Sequence, residues 1–138
     1  MEDTFDSTGF KKHIGKMMLQ LVWFLFFFTI IAHLFGLFWI FWWFDMPMHF
    51  LGGLFVGFLI LYVAPKFYNV EHTKVFLLFL LASFVVGLGW EIFEASMDVL
   101  FKSTHTNWLD SLSDLGFDLA GSIFAYLLLL KSYPIRKG

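Results

Sequence analysis

Five side chains in three separate stretches are of the types that build a cation site: His49, the pair Glu91 and Glu94, and the pair Asp114 and Asp118. One imidazole with several carboxylates suits a hard or borderline divalent ion such as Mg²⁺, Mn²⁺ or Zn²⁺. An ion held there would activate water or polarise a lipid-linked ester, with His49, Glu91 and Asp118 as the candidate acid/base groups. The same residues could relay protons without an ion, because a carboxylate–histidine pair at different depths is what a proton-coupled carrier needs.

Other chemistries are absent. The chain has no Cys, so thiolate ligands, disulfides and a Cys nucleophile are excluded. There is no HExxH zinc-protease motif and no Gly-x-Ser-x-Gly elbow. Glu91-Ile-Phe-Glu94 offers two carboxylates where di-iron bundles carry Glu-x-x-His. No basic residue lies near the acids to hold a phosphate directly, and no basic patch suits nucleic acid.

The elements that carry these residues are membrane spans. Of the 138 residues 59% are hydrophobic and 22% aromatic, including 21 Phe, a load that a soluble domain of this size does not carry. Four stretches are long enough to cross a bilayer, which takes about 20 apolar residues. They are Met17–Phe44, Met46–Ala64, Val75 to about Asp98, and Trp108–Leu130. The first follows Lys11, Lys12 and Lys16 as a signal peptide would, but it is too long for one and no cleavage motif follows, so it reads as a retained helix. The expected fold is all-α: a polytopic protein with four transmembrane helices. Residues 1–16 form a cytoplasmic segment, 17–131 the helical domain and 132–138 a cytoplasmic tail.

Positive charge sets the orientation. Lys11, Lys12, Lys16, Lys66, Lys74, Lys131, Arg136 and Lys137 fall on one side of a four-span layout, and only Lys102 on the other. Basic residues flanking spans favour the cytoplasm, so both termini are expected there, in a multi-pass protein of the cytoplasmic membrane. Seven of the eleven acids, Asp45, Glu91, Glu94, Asp98, Asp110, Asp114 and Asp118, then collect at the outer ends of helices two to four.

Helical spacing makes them converge, because residues three and four apart share a face. Asp45, His49, Gly53 and Gly57 form one stripe; Ser83, Gly87, Glu91, Glu94 and Asp98 a second; Asp110, Asp114, Asp118, Gly121, Ser122 and Ala125 a third. Each runs from acidic to small residues with depth, and small stripes are where membrane helices approach closely. At about 1.5 Å per residue, Asp45, Asp98 and Asp110 lie at a rim that solvation or helix capping would explain, His49, Glu94 and Asp114 about one turn deeper, and Glu91 and Asp118 about two turns in. A carboxylate in hydrocarbon costs several kcal/mol unless it is protonated, paired or metal-bound. With no Lys or Arg inside these helices, the compensating charge must come from protons, a metal ion or a cationic ligand. The structural alternative for Glu91 and Asp118 is a carboxylic acid hydrogen-bonded across helices.

His33, alone in the first span, reads as a satisfied buried histidine, and His13, His72 and His105 as solvated. The aromatic run Phe35–Phe44 reads as an interface belt, with Trp108 at the same boundary and Trp90 either lining the site or facing lipid.

Three segments in order, Asp45-Met-Pro-Met-His49-Phe-Leu-Gly-Gly53, Gly89-Trp-Glu91-Ile-Phe-Glu94 and Asp110-Ser-Leu-Ser-Asp114-Leu-Gly-Phe-Asp118-Leu-Ala-Gly121, resemble the VanZ-like small membrane proteins, most of all their YjdF-like branch. The likeness covers helices two to four, about two thirds of the chain. It implies a cell-envelope setting, associated in VanZ-like proteins with low-level glycopeptide resistance, and marks His49, Glu91, Glu94, Asp114 and Asp118 as the signature positions without supplying a reaction. Three functions stay open at this point: a metal-assisted enzyme on a lipid-linked or envelope substrate, a small proton- or cation-coupled transporter, and a non-catalytic accessory subunit that binds another membrane protein.

Overall fold

A computed structural model describes residues 7–63, 71–101 and 108–132. The two polar connections, with Lys66, Lys102 and His105, and the tail carrying Arg136 and Lys137 lie outside the described residues.

Every regular element among the described residues is helical: α1 (Ser7–Leu34), α2 (Leu37–Ile40), α3 (Asp45–Val63), α4 (His72–Phe101) and α5 (Trp108–Ser132). All but α2 are long and apolar enough to cross a membrane. At about 1.5 Å per residue, the 30 residues of α4 exceed the roughly 30 Å hydrocarbon core, so its ends extend beyond it.

The first span differs from the one expected. Its helix begins at Ser7, ten residues before the apolar stretch, and stops at Leu34. The break is at Gly36, whose φ of 64° is the left-handed conformation that glycine adopts without a Cβ clash. Phe35 N–H still donates to Ile31 O at 3.0 Å, but Gly36 N–H donates to His33 O at 3.2 Å, a tightened last turn. The aromatic run that follows is therefore a single turn of helix and a bend, not the end of a span. A second turn, Phe44 N–H to Phe41 O, delivers the chain to Asp45. There α3 starts, with Pro47 in the first turn, where a missing N–H leaves no helical bond unmade.

Helix α3 is the centre of the bundle, touching α1, α4 and α5, and its contact with α5 is the most extensive. That closeness depends on glycine. A Cβ on Gly53 would overlap the backbone of Asp118, one on Gly57 the Cβ of Ala125, and one on Gly121 the backbone of Phe50 and Leu54. Two serines tie α4 to α5 reciprocally: Ser83 Oγ donates to Asp118 O at 2.9 Å and Ser122 Oγ to Phe79 O at 3.0 Å. Beyond them, away from the acids, lies an apolar core of Phe58, Leu61, Val75, Phe79, Ala125, Tyr126 and Leu129, joined by Phe10 and Ile14 from α1. Large apolar side chains such as Trp23, Phe27, Leu81, Val85 and Leu127 point outward, as lipid-facing positions do.

Candidate functional site

The three stripes meet around one side chain. His49 is buried on α3, and its two ring nitrogens face different partners. Nδ1 lies 3.3 Å from Asp118 Oδ2 of α5. Nε2 lies 3.7 Å from Asp45 Oδ2, 4.0 Å from Glu91 Oε1 and 4.0 Å from Asp114 Oδ2. One imidazole thus joins carboxylates from α3, α4 and α5.

Asp118 is held from several sides. Its backbone carbonyl takes the Ser83 hydroxyl. A Cβ on Gly87 would fall on its carboxylate, and one on Gly52 would come within 3.6 Å of Oδ1. The carboxylate fills the space these glycines leave and is aimed at Nδ1. With the proton on Nδ1, the ring donates to Asp118 and leaves the Nε2 lone pair facing Glu91 and Asp114, the arrangement by which a carboxylate orients a metal-binding histidine.

Glu91 and Asp114 are 7% and 3% exposed. Glu91 Oε1 and Asp114 Oδ1 are buried with no hydrogen-bond partner among the described residues. An unmatched buried carboxylate oxygen is costly, and the two carboxylates lie against one imidazole, through Glu91 Oε1 and Asp114 Oδ2, where one charge would compensate both. The donor set fits an ion: one ligand atom each from His49, Glu91 and Asp114 lies within 4.8 Å of the others. Donors each about 2.1 Å from a common ion sit about 3–4 Å apart, close to the separations here. Nitrogen and carboxylate oxygen with no thiolate suit Mg²⁺, Mn²⁺ or Zn²⁺.

A second set, Asp45, His49 and Glu94, shares the same imidazole on the more exposed side. Glu94 already accepts a hydrogen bond from Trp90 Nε1 at 2.8 Å, one turn away on α4. Asp45, His49, Glu94 and Asp118 line a cavity of about 1050 Å³, which the buried set reaches through His49.

A family model matches residues 9–133, from the first turn of α1 to just past the end of α5, and is described as a predicted membrane protein. The chain belongs to the DUF2238 family. No curated protein and no solved structure matches it. Membership shows an integral membrane protein and leaves the chemistry to the residues themselves.

The structure places the five singled-out residues together but in unequal roles. His49, Glu91 and Asp114 form the buried set, Asp118 sits on the other ring nitrogen, and Glu94 lies at the cavity wall. Asp45, assigned by sequence to a wet rim, is within 3.7 Å of Nε2. Its i,i+4 relation to His49 was the available signal. Asp98 and Asp110 line the cavity mouth. His33 departs from expectation: it is exposed, not buried, with its ring 5.0 Å from that of Phe38, and it borders the same cavity. Trp39, Trp42 and Trp90 line it too.

Proposed function

We propose that this protein binds a divalent cation at the acidic end of its helical bundle, through His49, Glu91 and Asp114, and uses it on a lipid-linked or cell-envelope substrate. The observation that carries this reading is that Glu91 Oε1 and Asp114 Oδ1 are buried without a hydrogen-bond partner, on two carboxylates that approach His49 Nε2 to 4.0 Å through Glu91 Oε1 and Asp114 Oδ2, while the other ring nitrogen faces Asp118.

A bound divalent ion would supply Lewis acidity, or a water made nucleophilic at neutral pH. The chain's own residues supply the rest. Asp118 fixes the His49 tautomer. Asp45, at the cavity edge and one helical turn from His49, is placed to accept a proton from a group entering the cavity. Trp90 holds Glu94 at the wall. The apolar core under Ser83 and Ser122 keeps water out from below.

That core also weighs against transport. Ser83 and Ser122 are buried and both hydrogen-bonded to backbone, and Phe79 and Val75 are fully buried beyond them. The motif likeness to VanZ-like proteins agrees with an envelope setting, and the lysine distribution with an acidic end that faces outward.

Elemental analysis of the purified protein tests the reading. The expected result is one divalent ion per chain, removed by chelator and absent from a Glu91→Gln/Asp114→Asn variant. A metal-free protein whose stability ignores both added ion and chelator would refute it.

A further inference from the structure

The cavity beside the ion site has the shape and charge of a lipid site. Along α3 its lining runs from Asp45 and His49 at the acidic end to Phe55 and Val56. The eleven helical steps from Asp45 to Val56 span about 16 Å, roughly half of the 30 Å hydrocarbon core, or one leaflet. One wall comes from α1 and α2, through Leu25, Thr29 and Phe38; the other from α4, through Val86 and Trp90. Helix α1 rests on α3, and α4 on α5 and α3, so the cavity is a cleft between two helices that share a floor. Its lining is mostly apolar, with Asp45, Glu94, Asp98 and Asp110 gathered at one end and Thr29, Ser83 and Asp118 among its other polar members.

The charge at that end selects the headgroup. This step rests on the ion reading above: an ion at His49, Glu91 and Asp114 balances the two buried carboxylates, and Asp118 accepts the hydrogen bond of a neutral Nδ1–H imidazole. Asp45 and Glu94 line the cavity with Asp98 and Asp110, and one ligand atom of Asp45 lies within 4.8 Å of one of Glu94. Residues 75–101 and 108–130 contain no Lys or Arg to neutralise them. An anionic head is repelled there, whereas a protonated primary amine can donate to both carboxylates.

We infer that the cleft takes a phospholipid with a primary-amine headgroup from the leaflet at the acidic end. Its acyl chain lies between Leu25 and Val86 along α3, and its ammonium group lies between Asp45 and Glu94. The amine anchors the head with the phosphodiester next to the ion site, which makes an aminophospholipid the substrate class of the proposed chemistry.

Native mass spectrometry of detergent-purified protein offered phosphatidylethanolamine, phosphatidylcholine and phosphatidylglycerol tests this, with Mn²⁺ binding followed by electron paramagnetic resonance on the same samples. One phosphatidylethanolamine per chain is expected to be retained over the other two lipids. Glu94→Gln should lose that preference. Val86→Trp, which fills the cleft from an exposed position, should lose the lipid and keep Mn²⁺. Equal retention of all three lipids, a preference for phosphatidylglycerol or phosphatidylcholine, or undiminished retention in Val86→Trp would overturn the inference. A wild-type protein that binds no Mn²⁺ would instead sink the ion site, so the two failures are told apart.

Discussion

Asp118 on α5 and His49 on α3, 69 residues apart in the chain, meet in a buried contact of 3.3 Å between Oδ2 and Nδ1. The other ring nitrogen faces Asp45, Glu91 and Asp114. In the proposed ion site Asp118 would position the histidine, and Glu91 and Asp114 would hold the ion.

Asp118→Asn keeps the volume and removes the charge behind the imidazole. Losing such an orienting partner weakens metal binding by about 10–100-fold. A Mn²⁺ titration should show that loss with the far-ultraviolet circular dichroism unchanged. An unaltered affinity would make Asp118 purely structural.

Glu91→Gln with Asp114→Asn removes two like charges from a buried site. Without added ion the variant should melt at a higher temperature than wild type, because unpaired buried carboxylates are costly. Wild type should overtake it as ion is added, since a ligand at about 100 times its Kd stabilises by about 2.7 kcal/mol. Melting curves with and without Mn²⁺ decide it: a variant less stable than wild type in chelator, or one still stabilised by the ion, contradicts the assignment.

Protons and the ion compete for His49, Glu91 and Asp114. Affinity for Mn²⁺ should therefore fall as the medium is acidified, and binding should release protons. Calorimetry in buffers of different ionisation enthalpy measures that release. Proton-independent binding would place the ion elsewhere.

Gly53→Ala should destabilise the bundle by about 1–3 kcal/mol, because the added methyl meets the α5 backbone at Asp118. Gly89→Ala, where a Cβ meets nothing within 4 Å, is the control and should be neutral or mildly stabilising. Similar behaviour of the two in denaturation would remove the close α3–α5 approach from the account.

Much of this arrangement was legible from spacing. Four apolar stretches read as four spanning helices, and the stripes through His49, Glu91 and Asp114 pointed to one meeting place because helical period alone sets which residues share a face. Depth was a weaker guide. Asp45 was sorted to the rim by its position at a helix start, yet an N-terminal residue one turn from His49 reaches the same nitrogen as Glu91. Spacing along each helix cannot show which ring nitrogen a partner from another helix meets, so the separate place of Asp118 needed three-dimensional structure. The end of α1 was hidden for another reason: Phe35–Phe44 stays apolar through the break, and only the left-handed Gly36 reveals it.

The most direct test of the central claim is the electron–nuclear double resonance spectrum of the purified protein loaded with Mn²⁺. A single bound ion coupled to one imidazole nitrogen, with the coupling lost in His49→Gln, is the predicted result. A wild-type protein that takes up no Mn²⁺ near neutral pH, or that binds it without nitrogen coupling, would contradict it.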